Sequence, residues 1–391
     1  MSTDHLLTLD APVTAEDVDR FLPHLQQALA GTGPAVHARA SNGSHPAALQ
    51  SASASPLTPS DFDTMALLVS TSGSTGVPKL AMLSRDAVMA SVNATHSALG
   101  GAGRWLLMVP TSHVAGIQVL SRSVVAGYPP VVLDLSAGFR PTAFVEAVGR
   151  LLDDIGPEPR YTSLVPTQLR RILDAGGAAV AGLMALDAVL LGGSAAAPRL
   201  LDRAHGAGIT IVQSYGMTET CAGCVYDGVP LEGVDVKLGE AGRIQISGPM
   251  VFSGYLGEPE LTQEAIVGGS LMTNDIGRFD ERGRLLVLGR LDDVVVTGGL
   301  NVSCSAVELV LAEHPSIREV VVVGIPDDEW GQRLVAVATA EKSLTLADLK
   351  TYALGRLDRH ELPRELVLVP KLPWLAAGKP DRAAVRSLVQ Q

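Results

Sequence analysis

The chain has 391 residues, of which 47% are hydrophobic and only 4% aromatic, and its formal net charge is −11. That length is too great for one compact core and predicts about two to three domains, with Val, Leu, Ala and Ile filling the interior. No lysine- or arginine-rich run interrupts the acidic balance, which argues against a nucleic-acid-binding surface and leaves room for small anions held by glycine loops and a few cations.

The opening MSTDHLLTLD lacks the basic and apolar regions of a signal peptide, and no stretch approaches the roughly 18 unbroken apolar residues of a membrane span. A cytoplasmic protein that does not span a membrane is expected. Cys221 and Cys224 have CxxC spacing, but with Cys304 they leave no second pair and no neighbouring histidine for a zinc site. Small buried thiols are the expectation.

In chain order, residues 1–61 read as a loosely ordered lead-in, because 31–60 are rich in Ala, Ser, Gly and Pro with little periodicity. From residue 65, short β-branched runs alternate with helical patterns. MALLVS (65–70), WLLMVP (105–110), PVVLDL (130–135), DAVLLG (187–192) and ITIVQS (209–214) are predicted strands, and 84–98 and 141–153 predicted helices, the first capped by Ser84. The alternation predicts a mainly parallel α/β sheet. From about 230 to 289, short strands joined by glycine turns predict a small β-rich subdomain. After Arg290, a helix at 304–313, strands at 318–324, 333–340 and 365–370 and a helix near 345–357 predict a small α+β unit.

Between the first of these strands and the first helix lies TSGSTGVPK (71–79). Such a loop offers backbone N–H groups and hydroxyls to a phosphate at low steric cost, and Lys79 adds a point charge. It is not a Walker A loop, because Pro78 precedes the lysine and Leu80 follows it. Read alone, it is compatible with an ordinary exposed turn.

TSGSTGVPK resembles the phosphate loop of the adenylate-forming superfamily, which includes acyl-CoA synthetases. YGMTET (215–220), TNDIGR (273–278), GRLDDVVVTGGLNV (289–302) and PWLAAGKPDR (373–382) match later motifs of that superfamily in order. The resemblance covers residue 62 to the C-terminus. It implies a large N-terminal domain of α/β sheets with the β-rich subdomain (62–289), a hinge at 290–292 and a small mobile α+β C-terminal domain (293–391). Relatives are longer before the loop, so the front end is a trimmed one. The implied reaction is attack of a carboxylate on the α-phosphate of ATP, then displacement of AMP by a thiol, usually that of CoA.

The resemblance assigns the residues as follows. Thr71, Ser72, Gly73, Ser74, Thr75, Gly76 and Lys79 wrap the leaving phosphates. Lys379 bridges the carboxylate and the α-phosphate. Glu219 holds Mg²⁺, a hard cation that takes few protein oxygens, while Thr218 binds the α-phosphate and Tyr215 stacks on adenine beside Gly216. Gly192, Gly193 and Ser194 line the adenine and acyl pocket. Asp275 accepts from the ribose hydroxyls, Arg290 adds a ribose or phosphate contact, Asp292 is the hinge, and Gly298 and Gly299 border a pantetheine tunnel. Ala376 stands where relatives often have Thr, Asn274 where they have Gly, and the proline usual before the 304–313 helix is missing.

His113, in VPTSHVAG, matches a histidine at the mouth of the acyl pocket. SLVPTQLRRIL (163–173), LLGGSAAAP and CAGCVYDGVPLEGV (221–234) are most similar to the short actinobacterial o-succinylbenzoate–CoA ligases of menaquinone biosynthesis. Their acid is a dianion, and the resemblance places Arg122 opposite its spectator carboxylate, with Ser163 as a second polar group. Another aryl- or acyl-CoA ligase, loading of a carrier protein, and a nucleotide-binding pseudoenzyme stay open. Relatives are often dimers or larger, so a homodimer is compatible with this reading.

Overall fold

The computed structural model describes residues 5–40, 62–72, 78–153, 156–374 and 380–390. Its chain divides into two units, the first comprising Met1–Gly193, Arg203–Lys237 and Gln245–Thr273, the second Ser194–Asp202, Leu238–Ile244 and Asn274–Gln391. No helix among the described residues is long and apolar enough to cross a membrane.

In the first unit, one sheet runs in the order Leu6–Asp10, Ala35–Arg39, Met65–Ser72, Pro78–Ser84 and Gly254–Tyr255. Residues 6–39 are therefore not a loose lead-in. Thr14 and Asp17 form a capping box at the start of helix Ala15–Ala30, and Gly31 closes it at φ 71°. Val18, Phe21, Leu25 and Ala28 recur at helical spacing and are buried. The Ala/Ser/Pro-rich composition further on had hidden that periodicity. Residues 41–61 lie outside the described residues.

A second sheet runs Val229–Pro230, Ala222–Tyr226, Ile211–Met217, Ala188–Leu191, Arg160–Leu164, Arg104–Leu107 and Val131–Val132. From Ile211–Met217 to Val131–Val132 all its pairings are parallel, as the alternating pattern predicts. Helix Arg85–Leu99, capped by Ser84 through Ala87 N–H, leads from the first sheet into this one, and helices Val114–Ala126 and Pro141–Leu152 connect its strands.

The phosphate-loop motif departs from the expected strand–loop–helix order. Thr71 pairs with Lys79 and Ser72 with Pro78, so the motif joins two antiparallel strands, and the helix begins only after the second. The segment KLAMLS was too short between loop and helix cap to be recognised as a strand.

The β-rich region forms a sheet in the order Asp235–Leu238, Arg243–Ser247, Ser270–Phe279 and Ile266–Val267, with Leu285–Arg290 added to the long strand. The second unit's own sheet runs Leu300–Ser303, Val294–Thr297, Gly331–Ala340 and Ile317–Asp327, with Glu365–Leu368 parallel to Gly331–Ala340. Its strand VVVV shows no polar alternation because both faces are covered. Val322 packs with helices Cys304–Leu311 and Leu346–Ala353, whereas Val321 and Val323 pack with Leu372 and with Val385 of helix Arg382–Val389.

Candidate active site

Strand Ile211–Met217 delivers YGMTET to a tight turn. A side chain at Gly216 would place Cβ 2.0 Å from the carbonyl oxygen of Ala222, so only glycine lets the chain double back there. Cys221 and Ala222 follow at φ 52° and 79°, a left-handed backbone that non-glycine residues adopt only when held. Thr220 Oγ1 donates to the carbonyl of Ala222 at 2.7 Å. From two different helices, Ser91 Oγ and Gln118 Nε2 each donate to the carbonyl of Cys221 at 2.8 Å. All three cysteines are free and buried, and burial raises the Cys224 thiol to about 12.

The turn presents Glu219, half-buried, with Oε1 accepting from the Tyr255 hydroxyl at 2.7 Å. The Glu219 carbonyl accepts from Phe252 N–H. Burial first, and then the Glu219 carboxylate, hold the Tyr255 phenol protonated far above its ordinary range, so it stays a donor. Lys79 Nζ sits 5.4 Å from the centre of the same ring. The structure thus brings together Glu219 and Lys79, which the sequence singled out, through Tyr255, which it did not.

Only one Glu219 oxygen is engaged among the described residues. A single hard oxygen suits Mg²⁺, which keeps most of its waters and needs few protein ligands. The described residues contain no group of three or more His, Cys, Asp or Glu able to hold a metal. Thr218 and Tyr215 are half-buried on the same segment.

His113 occupies the N-cap position of helix Val114–Ala126, and its side chain makes no capping bond. Nine residues on, about 13 Å along the axis, Arg122 is 2% exposed. Its guanidinium lies 5.1 Å from the centre of the Trp105 ring, and Trp105 in turn packs on Tyr161. Ser163, two residues along the strand from Tyr161, is also buried and shares that face.

No carboxylate pairs with Arg122 among the described residues. Burial works against its charge, and the Tyr226 phenol is the group that favours it. Its Nε has no hydrogen-bond partner there, and neither do His96 Nε2, Trp105 Nε1 and Gln118 Oε1. Burial, reinforced by Arg122, lowers His96 from 6.5 to about 4, so the imidazole beside the guanidinium is neutral at neutral pH. Unpartnered buried polar atoms are costly, and here they gather around one cation.

Gly192 N–H donates to the carbonyl of Leu164 at 3.1 Å just past strand Ala188–Leu191, Gly193 is exposed, and Ser194 is half-buried. In the second unit, Asp275 and Arg290 face each other across adjacent strands with NH1 and Oδ1 3.4 Å apart. Arg290 also grips Asp292 with two bonds of 2.7 Å. Those bonds hold the Asp292 carboxyl below its usual range. Gly298 and Gly299, at φ 59° and 78°, form the two-residue turn between strands Val294–Thr297 and Leu300–Ser303. Gly73, Ser74, Thr75, Gly76 and Lys379 lie outside the described residues, and of Ser72 only the strand backbone is described.

Tyr255, Ser91, Gln118, Trp105 and His96 escaped sequence reading. Each acts through a partner at least 15 positions away, and no local motif marks such a pairing. The strand-flanked GY of SGYLGEP is the faint signal that Tyr255 left.

Residues 6–256 match the AMP-binding enzyme family and residues 306–379 the AMP-binding enzyme C-terminal domain. The chain is 44% identical over 370 residues to a probable 2-succinylbenzoate–CoA ligase of Mycobacterium tuberculosis, covering 93% of this chain and 94% of that one. It is 32% identical over 336 residues to the 2-succinylbenzoate–CoA ligase of Listeria monocytogenes, with 82% and 70% covered. In fold it resembles the o-succinylbenzoate CoA synthetase of Bacillus subtilis in complex with its acyl-adenylate intermediate, with TM-score 0.73, 23% identity, and 98% and 88% covered. The chain belongs to the AMP-binding enzyme family and, within it, to the 2-succinylbenzoate–CoA ligases.

Proposed function

We propose that this protein adenylates the succinyl carboxylate of o-succinylbenzoate with ATP and then transfers the acyl group to CoA, the thioester-forming step that menaquinone synthesis requires. A carboxylate oxygen attacks the α-phosphorus and pyrophosphate leaves. The CoA sulfur then attacks the acyl carbon and AMP leaves. Both partners of the first step are anions, so the site must supply positive charge and alignment. In this reading Lys379 supplies the charge at the α-phosphate and residues 71–76 with Lys79 hold the departing phosphates. Thr218 steadies the α-phosphate, Tyr215 with Gly192, Gly193 and Ser194 receives the adenine, and Asp275 with Arg290 takes the ribose. Glu219 would hold Mg²⁺, which would supply positive charge to offset the triphosphate. Rotation about Asp292 exchanges the lysine for the Gly298–Gly299 turn. Substrates of this kind fit a cytoplasmic enzyme.

The observation that carries the choice of acid is Arg122, a buried guanidinium with no carboxylate partner among the described residues. A monoanionic acid whose carboxylate is consumed at the phosphate would leave that cation uncompensated. The second carboxylate of o-succinylbenzoate compensates it, directly or through water, while His113 borders the reacting end.

The test measures pyrophosphate release and thioester formation with o-succinylbenzoate, benzoate and medium-chain fatty acids, for the wild type and Arg122→Met. Turnover confined to the dianionic acid and weakened by the substitution is the expected result. Equal turnover of a monoanionic acid, indifferent to Arg122, would overturn the assignment of the acid.

A further inference from the structure

The turn that carries Thr218 and Glu219 is gripped by two helices at the carbonyl of Cys221. Cys221 and Ala222 sit at φ 52° and 79°, a backbone that residues other than glycine keep only where their surroundings over-determine it. Ser91 Oγ and Gln118 Nε2 supply that constraint, each donating to the Cys221 carbonyl at 2.8 Å. Cys221 N–H donates in turn to the Thr218 carbonyl at 3.1 Å, so the grip extends to the segment assigned to phosphate and metal. Ser91, Gln118 and Cys221 are fully buried, and all of these residues belong to the first unit.

The two donors are not equivalent. Ser91 stands on helix Arg85–Leu99, which reaches the same strand again where Thr95 Oγ1 and the Tyr226 hydroxyl share a 3.0 Å hydrogen bond. Gln118 stands on helix Val114–Ala126, which begins at His113 and carries Arg122 one turn after Gln118 on the same face. Donation to the carbonyl fixes which end of the Gln118 amide is nitrogen. Its Oε1 is then left buried with no hydrogen-bond partner among the described residues. A methionine would fill that space without stranding an acceptor, so packing alone does not account for the amide.

We propose that Gln118 is a positioning residue for adenylation, holding the helix that seats the acid in register with the turn of Thr218 and Glu219. The register rests on reading Arg122 as the acid's partner and Thr218 and Glu219 as the nucleotide's. In-line attack requires both reactants to be aligned, and a misplacement of about 1 Å costs up to about a hundredfold. The Gln118 bond links the support of one reactant directly to that of the other. Ser91 ties the same carbonyl to a helix with no assigned acid contact, so the register does not run through it.

The experiment uses the full-length protein and measures the single-turnover rate of pyrophosphate release with o-succinylbenzoate, the KM of the acid, and binding of ATP with Mg²⁺ by calorimetry. Variants are Gln118→Met, Gln118→Asn, Ser91→Ala, Arg122→Met and Glu219→Gln, with folding checked by thermal melting. Gln118→Met keeps the shape and removes the donor, whereas Gln118→Asn keeps the amide but is one methylene short of the carbonyl. Both Gln118 variants are expected to lose about 10- to 100-fold in the single-turnover rate, with KM for the acid and ATP binding within about threefold of the wild type. Ser91→Ala is expected to stay within about threefold in all three readouts. A role confined to satisfying the Cys221 carbonyl would make Ser91→Ala and Gln118→Met equal. Equal losses, a full rate in folded Gln118→Met, or ATP binding that weakens as far as the rate falls, overturns the register. If the Gln118 variants do not fold, a loss of about tenfold in Ser91→Ala still overturns it. If Arg122→Met and Glu219→Gln both behave as the wild type, the reading of the site itself fails. If they lose activity and Gln118→Met does not, only the register fails.

Discussion

Arg122 and Arg382 are both largely shielded from water, one in each unit, and their surroundings differ in kind. Arg382 meets two carboxylates, a hydroxyl and a carbonyl within 3.2 Å. Arg122 lies over an indole face and interacts electrostatically with a neutral imidazole and a phenol, with no carboxylate pairing with it among the described residues. Desolvating a cation costs several kcal/mol unless partners compensate it. The first arginine is compensated within its own chain and belongs to the framework. In the proposed reading the second is compensated by the second carboxylate of the bound acid.

The contrast is sharpest in stability. Removing Arg382 leaves buried Asp293 and half-buried Glu308 without this counter-charge, and Arg382→Ala is expected to lose about 3 kcal/mol in denaturant unfolding of the free protein. Arg122→Met removes a charge that no carboxylate pairs with among the described residues, so its unfolding free energy should be unchanged or higher. Equal destabilisation by the two substitutions would erase the distinction.

Catalysis should show the opposite ranking of cause. Arg122→Met is expected to lower kcat/KM for o-succinylbenzoate by about 10- to 100-fold, the worth of one charge-assisted pair, while KM for ATP holds. Steady-state kinetics with each substrate varied in turn provides the check.

Acid sensitivity probes the same neighbourhood. Burial and Arg122 lower His96 from 6.5 to about 4, so between those values the unfolded chain binds a proton that the folded chain refuses. Stability is therefore fully present above about 6.5 and falls as pH drops towards 4, by an amount of order 3 kcal/mol. His96→Asn should flatten melting temperature against pH in that window. Arg122→Met, by removing the adjacent charge, should narrow it.

The smallest effect belongs to Tyr255→Phe, which deletes one hydrogen bond to Glu219. About a tenfold fall in adenylation rate is expected, partly recovered at high Mg²⁺ if the bond orients the carboxylate for the metal. A loss that no Mg²⁺ concentration relieves would assign Tyr255 to packing alone.

Much of this protein was legible in one dimension. The alternation of apolar runs with helical patterns specified the parallel sheet because each βαβ step buries its own faces locally. The ordered motifs YGMTET, TNDIGR and GRLDDVVVTGGLNV named Glu219, Asp275, Arg290 and Asp292 as candidates because each motif is a short contiguous segment of chain. Other features depended on partners distant in sequence. Strand Leu6–Asp10 gained its identity from pairing with Ala35–Arg39, and the latter from pairing with Met65–Ser72, and the motif 71–79 proved to join two antiparallel strands. The sequence reading named Arg122 a candidate through family resemblance, and by itself that residue would pass for a solvated helix position. Only the tertiary structure decided that it is buried with no carboxylate partner among the described residues while Arg382 is half-buried and paired, because compensation of a charge is set by what the fold brings within about 3 Å, not by what stands next to it in the chain.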